Sequence, residues 1–385
     1  MASAAETTMP IPKDSSLEEE KQQRIYLSPV EQTMLTTLHT RAMDASSPNP
    51  ILNDIYARDI LSRLDEIPPP PTNLLPSNPL YANYSAARAK QLDKWCLDYL
   101  LSIFTSTSTS TSSEKGEEEE EVEEITVLHL ACGLDMRYKR VLESPSLLPL
   151  LQPPPPLLPP QPQQQQQTQT PDGKGKGRKR IKVNWIDIDK PDVISLRRRL
   201  LITPPSQEGE KEGEKYKYKY KYTLLPINLT NPDTSWIEKH ISISIPQTNP
   251  NPKTKTKTKP TRKLIIIAEG LFPYLSPAES KLLLNKLISA NDDTGILLMD
   301  TVGTLLTRFQ RLMPLYKKTG VKMQWGVDNG QEVAEAHGKL RFVEAVTMGD
   351  LVPGGSMPPA FGAWTPFFKG LSGWKTYGQV LRLEF

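Results

Sequence analysis

The chain has 385 residues, a formal net charge of +3 at pH 7 and 37 prolines. This charge is small for the length, and its basic excess lies in biased tracts, so no nucleic-acid surface is indicated. The two cysteines, Cys96 and Cys132, have neither metal-site nor disulfide spacing, and no apolar stretch is long enough to cross a membrane. We expect a soluble cytoplasmic protein without a metal site that binds neither nucleic acid nor membrane; its oligomeric state stays open.

Biased composition separates segments that can pack from segments that cannot. We predict a disordered N-terminus over 1–24 and a single domain over 25–385, with a helical cap at 25–105. Low-complexity insertions are predicted near 106–124, 153–180, 207–222 and 247–262. Such tracts bury too little apolar area to offset their chain entropy. The Lys-Tyr alternation of the third insertion would also suit an edge strand or an anion site, but a solvated loop is the favoured interpretation.

Three helical patterns come first along the chain. The first begins at Ser28, an N-cap followed by a proline, and ends before Asn49-Pro50. The second runs from Ile51 to the prolines at 68–71. The third, from about Ser85 through Ile103, has the i, i+3, i+4 apolar spacing of an amphipathic helix. Together they form the predicted cap.

Five β-rich segments follow, and each ends at a small or polar residue. They cover 125–130, 182–186, 223–227, 264–267 and 295–299. The four branched apolar residues at 264–267 are typical of a strand buried on both faces of a parallel sheet. After that strand, Ser276, Pro277 and Glu279 provide a capping box for a helix. The alternation of strands and helices predicts an α/β fold with a doubly wound, mostly parallel sheet.

The C-terminal part is predicted to complete the sheet with strands. They lie within 320–343 and 373–385 and have the alternation of antiparallel strands. The Pro- and Gly-rich span between them, 352–373, would cover the active site, an inference from its position alone.

A small turn and an acidic group follow the first two predicted strands. Gly133 lies in the turn, and Asp187 and Asp189 end the second strand. Doubly wound folds hold a nucleoside with this arrangement, because the turn lets backbone approach the ligand and the carboxylate accepts hydrogen bonds from the ribose. The turn is not GxGxxG, which argues against a pyrophosphate cofactor. S-adenosylmethionine is the commonest nucleoside cofactor without phosphates.

Three segments at these strand ends resemble motifs of the leucine carboxyl methyltransferase family, which includes the tetracenomycin-type polyketide O-methyltransferases. They are 130–137 (LACGLDMR), 185–194 (WIDIDKPDVI) and 268–275 (AEGLFPYL). The corresponding family patterns read approximately LGAGLDTR, EVDxPEVI and AEGLLMYL. The resemblance implies a Rossmann-like fold of seven strands with an N-terminal helical cap, and an S-adenosylmethionine-dependent O-methyltransferase.

The resemblance also implies roles for residues of the first two motifs and of the third helix. Arg88 would pair with the carboxylate of the cofactor, a bidentate task that suits a guanidinium group. Gly133 would approach the methionine part of the cofactor. Asp189 would lie near the ribose, and Asp187 would share that task.

Further cofactor contacts are implied after the third and fourth strands. Glu269 would lie against the cofactor, where its charge would favour the sulfonium. Asn228 stands where many members have aspartate and would accept a hydrogen bond from the adenine amine, and Leu229 follows as the family pattern expects. Ala131 replaces the usual first glycine of the turn, but its side chain is small enough to leave that turn possible.

The methyl acceptor is expected to be a carboxylate or hydroxyl of a small, polyketide-like molecule. An ionised carboxylate needs alignment more than a base, whereas a hydroxyl needs a base. Tyr274 is the candidate substrate contact, and no catalytic residue is identified. His129 is interpreted as a packed residue of the first strand. The alternatives are a protein C-terminal carboxyl methyltransferase and a catalytically silent S-adenosylmethionine-binding or scaffold protein.

Overall fold

The computed structural model describes ten segments of the chain. They are 27–64, 79–106, 122–151, 180–201, 220–231, 233–241, 262–290, 294–312, 320–351 and 377–385. The predicted disordered N-terminus, most of each insertion and the span 352–373 lie outside these residues. Among the described helices, none is both long and apolar enough to cross a membrane. The described residues also contain no cluster of three or more His, Cys, Asp or Glu side chains able to hold a metal.

Helices and strands alternate along most of the described chain. The helices are α1 (Pro29–Ala45), α2 (Ile55–Leu64), α3 (Pro79–Ser106), α4 (Arg137–Leu142), α5 (Leu148–Leu151), α6 (Pro191–Leu200), α7 (Ser235–His240), α8 (Pro277–Ser289), α9 (Thr304–Phe309), α10 (Gly330–Ala334) and α11 (Met348–Leu351). The strands are β1 (Val122–Leu130), β2 (Arg180–Asp189), β3 (Tyr220–Pro226), β4 (Arg262–Ala268), β5 (Gly295–Val302), β6 (Arg341–Thr347) and β7 (Gly378–Glu384). Single turns of 3₁₀ helix cover Phe272–Tyr274 and Gln310–Leu312.

The strands form one seven-stranded sheet in the order β3-β2-β1-β4-β5-β7-β6. The first five strands in this order are parallel, and β7 runs antiparallel to both β5 and β6. The direction of winding changes between β1 and β4, and a crevice opens beyond the carboxyl ends of the strands at such a switch point. The predicted α/β fold, with a doubly wound, mostly parallel sheet and an N-terminal helical cap, is confirmed.

Strand β4 shows why the apolar run at 264–267 predicted a central strand. Ile265 and Ile267 pack in the layer that contains the cap helices. Leu264 and Ile266 pack in the opposite layer, against α8. All four side chains are at most 1% exposed. Both faces of the sheet are therefore covered, and the open edge at the strand ends is left for a ligand.

Predicted caps define the starts of α1 and α8. At α1, the amide of Glu31 donates to Ser28 Oγ at 3.4 Å, and the amide of Ser28 donates to Glu31 Oε2 at 2.7 Å. The same reciprocal pair forms between Ser276 and Glu279, with distances of 3.3 and 2.8 Å. The predicted N-cap at Ser28 and the predicted capping box at Ser276 are confirmed, and each reciprocal pair satisfies two amide groups that a helix start otherwise leaves unpaired.

Two predicted segments differ from the secondary structure that the chain forms. Strand β3 begins at Tyr220, inside the predicted insertion 207–222, because Tyr222 is buried and its hydroxyl donates a hydrogen bond within the core. The end of the Lys-Tyr alternation is thus an edge strand, the less favoured interpretation. The region 320–343 is strand only from Arg341. Asn329 accepts a hydrogen bond at the start of α10, and this cap begins a helix where a strand was predicted.

Candidate active site

A cavity of about 440 Å³ lies beyond the carboxyl ends of the parallel strands, beneath the cap. This volume is within the range of small-molecule sites. The structure brings most of the predicted site residues together in its lining: Arg88, Gly133, Asp189, Asn228, Leu229, Glu269 and Tyr274. Asp187 is the predicted site residue that does not line it.

The turn after β1 forms the first wall of the cavity. Ala131 and Gly133 adopt left-handed backbone conformations, with φ of +50° and +52°. Asp189 closes this turn from β2, because its carboxylate accepts hydrogen bonds at 2.8 Å from the amides of Gly133 and of Lys190. Burial raises the pKa of Asp189, although both amides favour its charged form. Its remaining lone pairs are available to a ligand in the cavity.

We expect Ala131→Gly to stabilise the protein by about 0.5 kcal/mol. A non-glycine residue is strained by about 1–2 kcal/mol in this left-handed conformation. Glycine removes that strain, but the greater conformational entropy of its unfolded chain offsets part of the gain. Urea unfolding measures the change. The matched variant is Gly133→Ala, which adds the same strain and a Cβ 3.3 Å from the Cβ of Met34. It should lose stability. If Ala131→Gly instead lowers the stability of the protein, as the same change does at an ordinary loop alanine, the backbone of Ala131 is not strained as inferred.

Asp187 lies below the cavity and is 0% exposed. Its carboxylate accepts hydrogen bonds from four side chains: Arg197 Nη2 at 2.6 Å, Trp185 Nε1 at 2.7 Å, Tyr222 Oη at 2.7 Å and His129 Nδ1 at 3.1 Å. Burial opposes its ionisation, but Arg197, His129 and Tyr222 outweigh burial and lower its pKa. The expectation that Asp187 shares ribose binding is corrected, because these partners leave no lone pair facing the cavity.

Asp187 instead supports the turn through Arg197, a fully buried residue of α6. While Nη2 of Arg197 binds Asp187, its Nη1 donates to the carbonyl oxygen of Gly133 at 2.9 Å. The Arg197 guanidinium group therefore connects the turn after β1 to Asp187 of β2 on the side away from the cavity. Asp189 binds the same turn on the cavity side. The two aspartates of one motif thus have different tasks.

Arg88, on α3, reaches the cavity from the cap. Its Nε donates to Glu269 Oε1 at 3.0 Å, and its Nη2 lies 2.9 Å from the same oxygen as an ion-pair contact. Its Nη1 donates to Asp300 Oδ2 at 2.8 Å. Burial raises the pKa of Asp300, although Arg88 counteracts this effect. Asp300 also accepts from the amide of Gly270 at 2.6 Å. Asp300 was not predicted as a site residue, although β5, like β2 and β4, has a carboxylate near its carboxyl end.

Glu269 is held from two sides. One oxygen accepts from Arg88, and the other accepts from Nη2 of Arg137, a residue that is 0% exposed and was not assigned to the site. Burial disfavours the charged form of Glu269, but the two guanidinium groups prevail and lower its pKa to about 2. Glu269 is therefore a fixed negative charge at neutral pH, unsuited to proton transfer.

Asn228 and Leu229 lie at the rim of the cavity. The side-chain oxygen of Asn228 accepts from the amide of Thr230 at 3.2 Å and from its hydroxyl at 2.9 Å. This oxygen, which was predicted to accept from the adenine amine, is used by the turn in this structure. The Nδ2 group is the side chain's remaining polar group and is a donor.

The far end of the cavity is mainly apolar. Its lining includes Val302, Leu306, Val321, Met323, Met348 and Tyr377. Tyr84 and Tyr274 also line the cavity, and Cζ of Arg88 lies 5.6 Å from the centre of the Tyr84 ring. Burial raises the pKa of Tyr84 to about 12, so its hydroxyl stays protonated at neutral pH. Burial raises the pKa of Tyr274 as well, although Thr33 of α1 counteracts this effect.

Two known proteins are similar to this chain over most of its length. The tetracenomycin polyketide synthesis O-methyltransferase TcmP of Streptomyces glaucescens is 26% identical over 326 residues, which cover 85% of this chain and 86% of that protein. The S-adenosyl-L-methionine-dependent methyltransferase dpfgK of Gibberella zeae is 26% identical over 327 residues, covering 82% and 80%. This chain is thus similar to two methyltransferases over most of its length. No family model matches it.

Solved structures with overall similarity include two methyltransferases. A putative methyltransferase from Thermobifida fusca has 14% identity and a TM-score of 0.39, with 89% of this chain and 93% of that chain covered. The magnesium protoporphyrin IX methyltransferase of Synechocystis with bound SAH has 10% identity and a TM-score of 0.34, with 86% and 95% covered.

Proposed function

We propose that this protein is an S-adenosylmethionine-dependent O-methyltransferase that acts on a carboxylate or hydroxyl of a small molecule. The observation that carries the proposal is the cavity itself. It gathers the strand-end residues of three motifs and an arginine from the cap into one crevice at the switch point. The relatives over most of the chain are methyltransferases by name, which supports the same activity.

The residues present fit this cofactor. The glycine turn exposes backbone where a Cβ at Gly133 would crowd Met34, and Asp189 offers a carboxylate with free lone pairs beside it for ribose hydroxyls. Arg88 donates to carboxylates of the protein through its Nε and one hydrogen of Nη1. A guanidinium group has five N–H donors, so hydrogens of Nη1 and Nη2 remain for a ligand carboxylate. Asn228 Nδ2 would donate to a ring nitrogen of adenine.

When bound, S-adenosylmethionine supplies a methyl group activated by a sulfonium. Glu269 keeps its charge at neutral pH and thereby favours a cation at this end of the cavity. Arg88 holds Glu269 in place on the cavity side and is itself held by Asp300. Tyr84 cannot act as a base near neutral pH because its pKa is raised to about 12. The chain therefore acts mainly through alignment, which suits an acceptor oxygen that is already ionised.

The mainly apolar far end would hold the body of the acceptor, and Tyr274 would contact it from the mouth. Apolar and aromatic walls with few polar groups are typical of sites that bind small organic molecules. We also propose membership of the leucine carboxyl methyltransferase family, for which the three motifs and their order along the chain are the support.

Titration calorimetry with S-adenosylmethionine and with S-adenosylhomocysteine tests the cofactor. Transfer of a tritiated methyl group to extracts and a panel of small acids and phenols tests the reaction, with Asp189→Ala as the matched inactive variant. We expect binding in the micromolar range and transfer by the wild type alone. A wild type that fails to bind either ligand at high micromolar concentrations would overturn the proposal.

A further inference from the structure

His129 lies at the penultimate position of β1, in the floor of the cavity, and is 2% exposed. Each nitrogen of its ring contacts a different charged side chain. Nδ1 is 3.1 Å from Asp187 Oδ1, and Nε2 is 3.1 Å from Arg137 Nη1. Asp187 is its direct partner in the register of β1 and β2. His129 is thus the side chain that connects the Asp187 group with the Arg137 group.

The chemistry of these partners determines the tautomer. Arginine has only N–H donors, so Nε2 of His129 must accept the hydrogen bond from Arg137. The ring proton is then on Nδ1 and is donated to Asp187. The geometry therefore indicates a ring that accepts from Arg137 at Nε2 and donates to Asp187 from Nδ1.

We propose that His129 is a positioning residue for the cofactor site, acting through Arg137 on Glu269; this inference rests on the proposed methyltransferase function. Arg137 binds Asp93 through Nε at 2.5 Å, His129 through Nη1 and Glu269 through Nη2. Since its side chain is 0% exposed, no bulk water is at hand to replace a lost acceptor at Nη1. The guanidinium group would turn, and the carboxylate of Glu269 would follow it away from Arg88.

Two amide variants separate the two contacts. In His129→Gln, the amide oxygen reaches about as far as Nε2 and can accept from Arg137, but the donor to Asp187 is lost. In His129→Asn, the shorter amide occupies the place of Nδ1 and can donate to Asp187, but it does not reach Arg137. Both remove the ring, so a purely structural role predicts similar losses in melting temperature and no difference in ligand affinity.

The measurement is the Kd for S-adenosylhomocysteine by calorimetry, with the melting temperature recorded for each variant. We expect His129→Asn to weaken binding by roughly ten- to one-hundredfold, the effect of one hydrogen bond to a charged group. His129→Gln should stay within about threefold of the wild type. If the wild type binds and the two variants bind equally well, or if only His129→Gln loses affinity, the positioning role is wrong. If the wild type itself does not bind, the proposed function fails instead.

Should either variant fail to fold, Trp185→Phe provides a second measurement. Trp185 Nε1 donates to the same Asp187 oxygen as His129, at 2.7 Å, but does not touch Arg137. We expect Trp185→Phe to change stability without changing the Kd. A loss of affinity equal to or greater than roughly tenfold in Trp185→Phe would show that the Asp187 side controls the site and would overturn the proposal.

Discussion

Replacing Arg137 with methionine is expected to lower the free energy of unfolding by about 3 kcal/mol, the cost of removing one partner of a buried ion pair. The side chain of Arg137 is 0% exposed and contacts the carboxylates of Asp93, Asp135 and Glu269. Methionine fills similar space but leaves these buried charges with fewer partners, and water cannot reach them freely. Urea unfolding at neutral pH measures the change.

Lys94→Met on α3 is the matched control. Lys94 also pairs with a carboxylate, Asp98, at 2.7 Å, but its side chain is 63% exposed. Because exposed pairs of this kind contribute at most about 0.5 kcal/mol, its loss should be small. If the two variants lose similar stability, the buried network does not contribute as inferred.

Replacing Arg88 with lysine is expected to weaken binding of S-adenosylmethionine by roughly one-hundredfold, because a single ammonium cannot reproduce a planar fork. The fork now bridges Glu269 and Asp300 and leaves donors toward the cavity. Lysine keeps the positive charge, so a loss of affinity reports the geometry of the guanidinium group. Calorimetry with the wild type and the variant measures it.

A second ligand makes this test specific. Methylthioadenosine shares the nucleoside of the cofactor but lacks the amino-acid carboxylate. Arg88→Lys should leave its affinity nearly unchanged, whereas Asp189→Asn should weaken both ligands, since both contain the ribose. Equal losses for the two ligands in Arg88→Lys would place Arg88 elsewhere in the site and contradict its assignment to the carboxylate.

The strand ends were predictable because their signals are local. A buried parallel strand needs a continuous apolar run, and a loop needs a glycine or polar residue directly after it. The run at 264–267 and the turn at Gly133 satisfy these conditions within a few residues. A signal of this kind is also present at Asp300, but that residue was not predicted to belong to the site, and the sequence did not show that its carboxylate would meet Arg88.

The two aspartates of the second motif show most clearly what could not be predicted from the sequence alone. Asp187 and Asp189 are two residues apart on one strand, and their local signals are the same. Asp187 contacts Tyr222 and Arg197 and is sealed, while Asp189 lies at the strand end and lines the cavity. Only the packing of β3 and α6 against β2 distinguishes them. The start of strand β3 was not predicted, because Tyr222 lies at the end of a tract whose composition is typical of a solvated loop.

The sequence alone thus determined the sheet, its winding and the edge at which a ligand would bind, since strand periodicity and strand ends depend on neighbouring residues. The tertiary structure decided which carboxylates remain available to that ligand. Arg88 and Glu269 are 181 positions apart, and Arg137 and Glu269 are 132 apart. Pairings over such distances depend on how α3 and α4 pack on the sheet. This packing makes Glu269 a fixed charge at the cavity and leaves Asp189 free to bind.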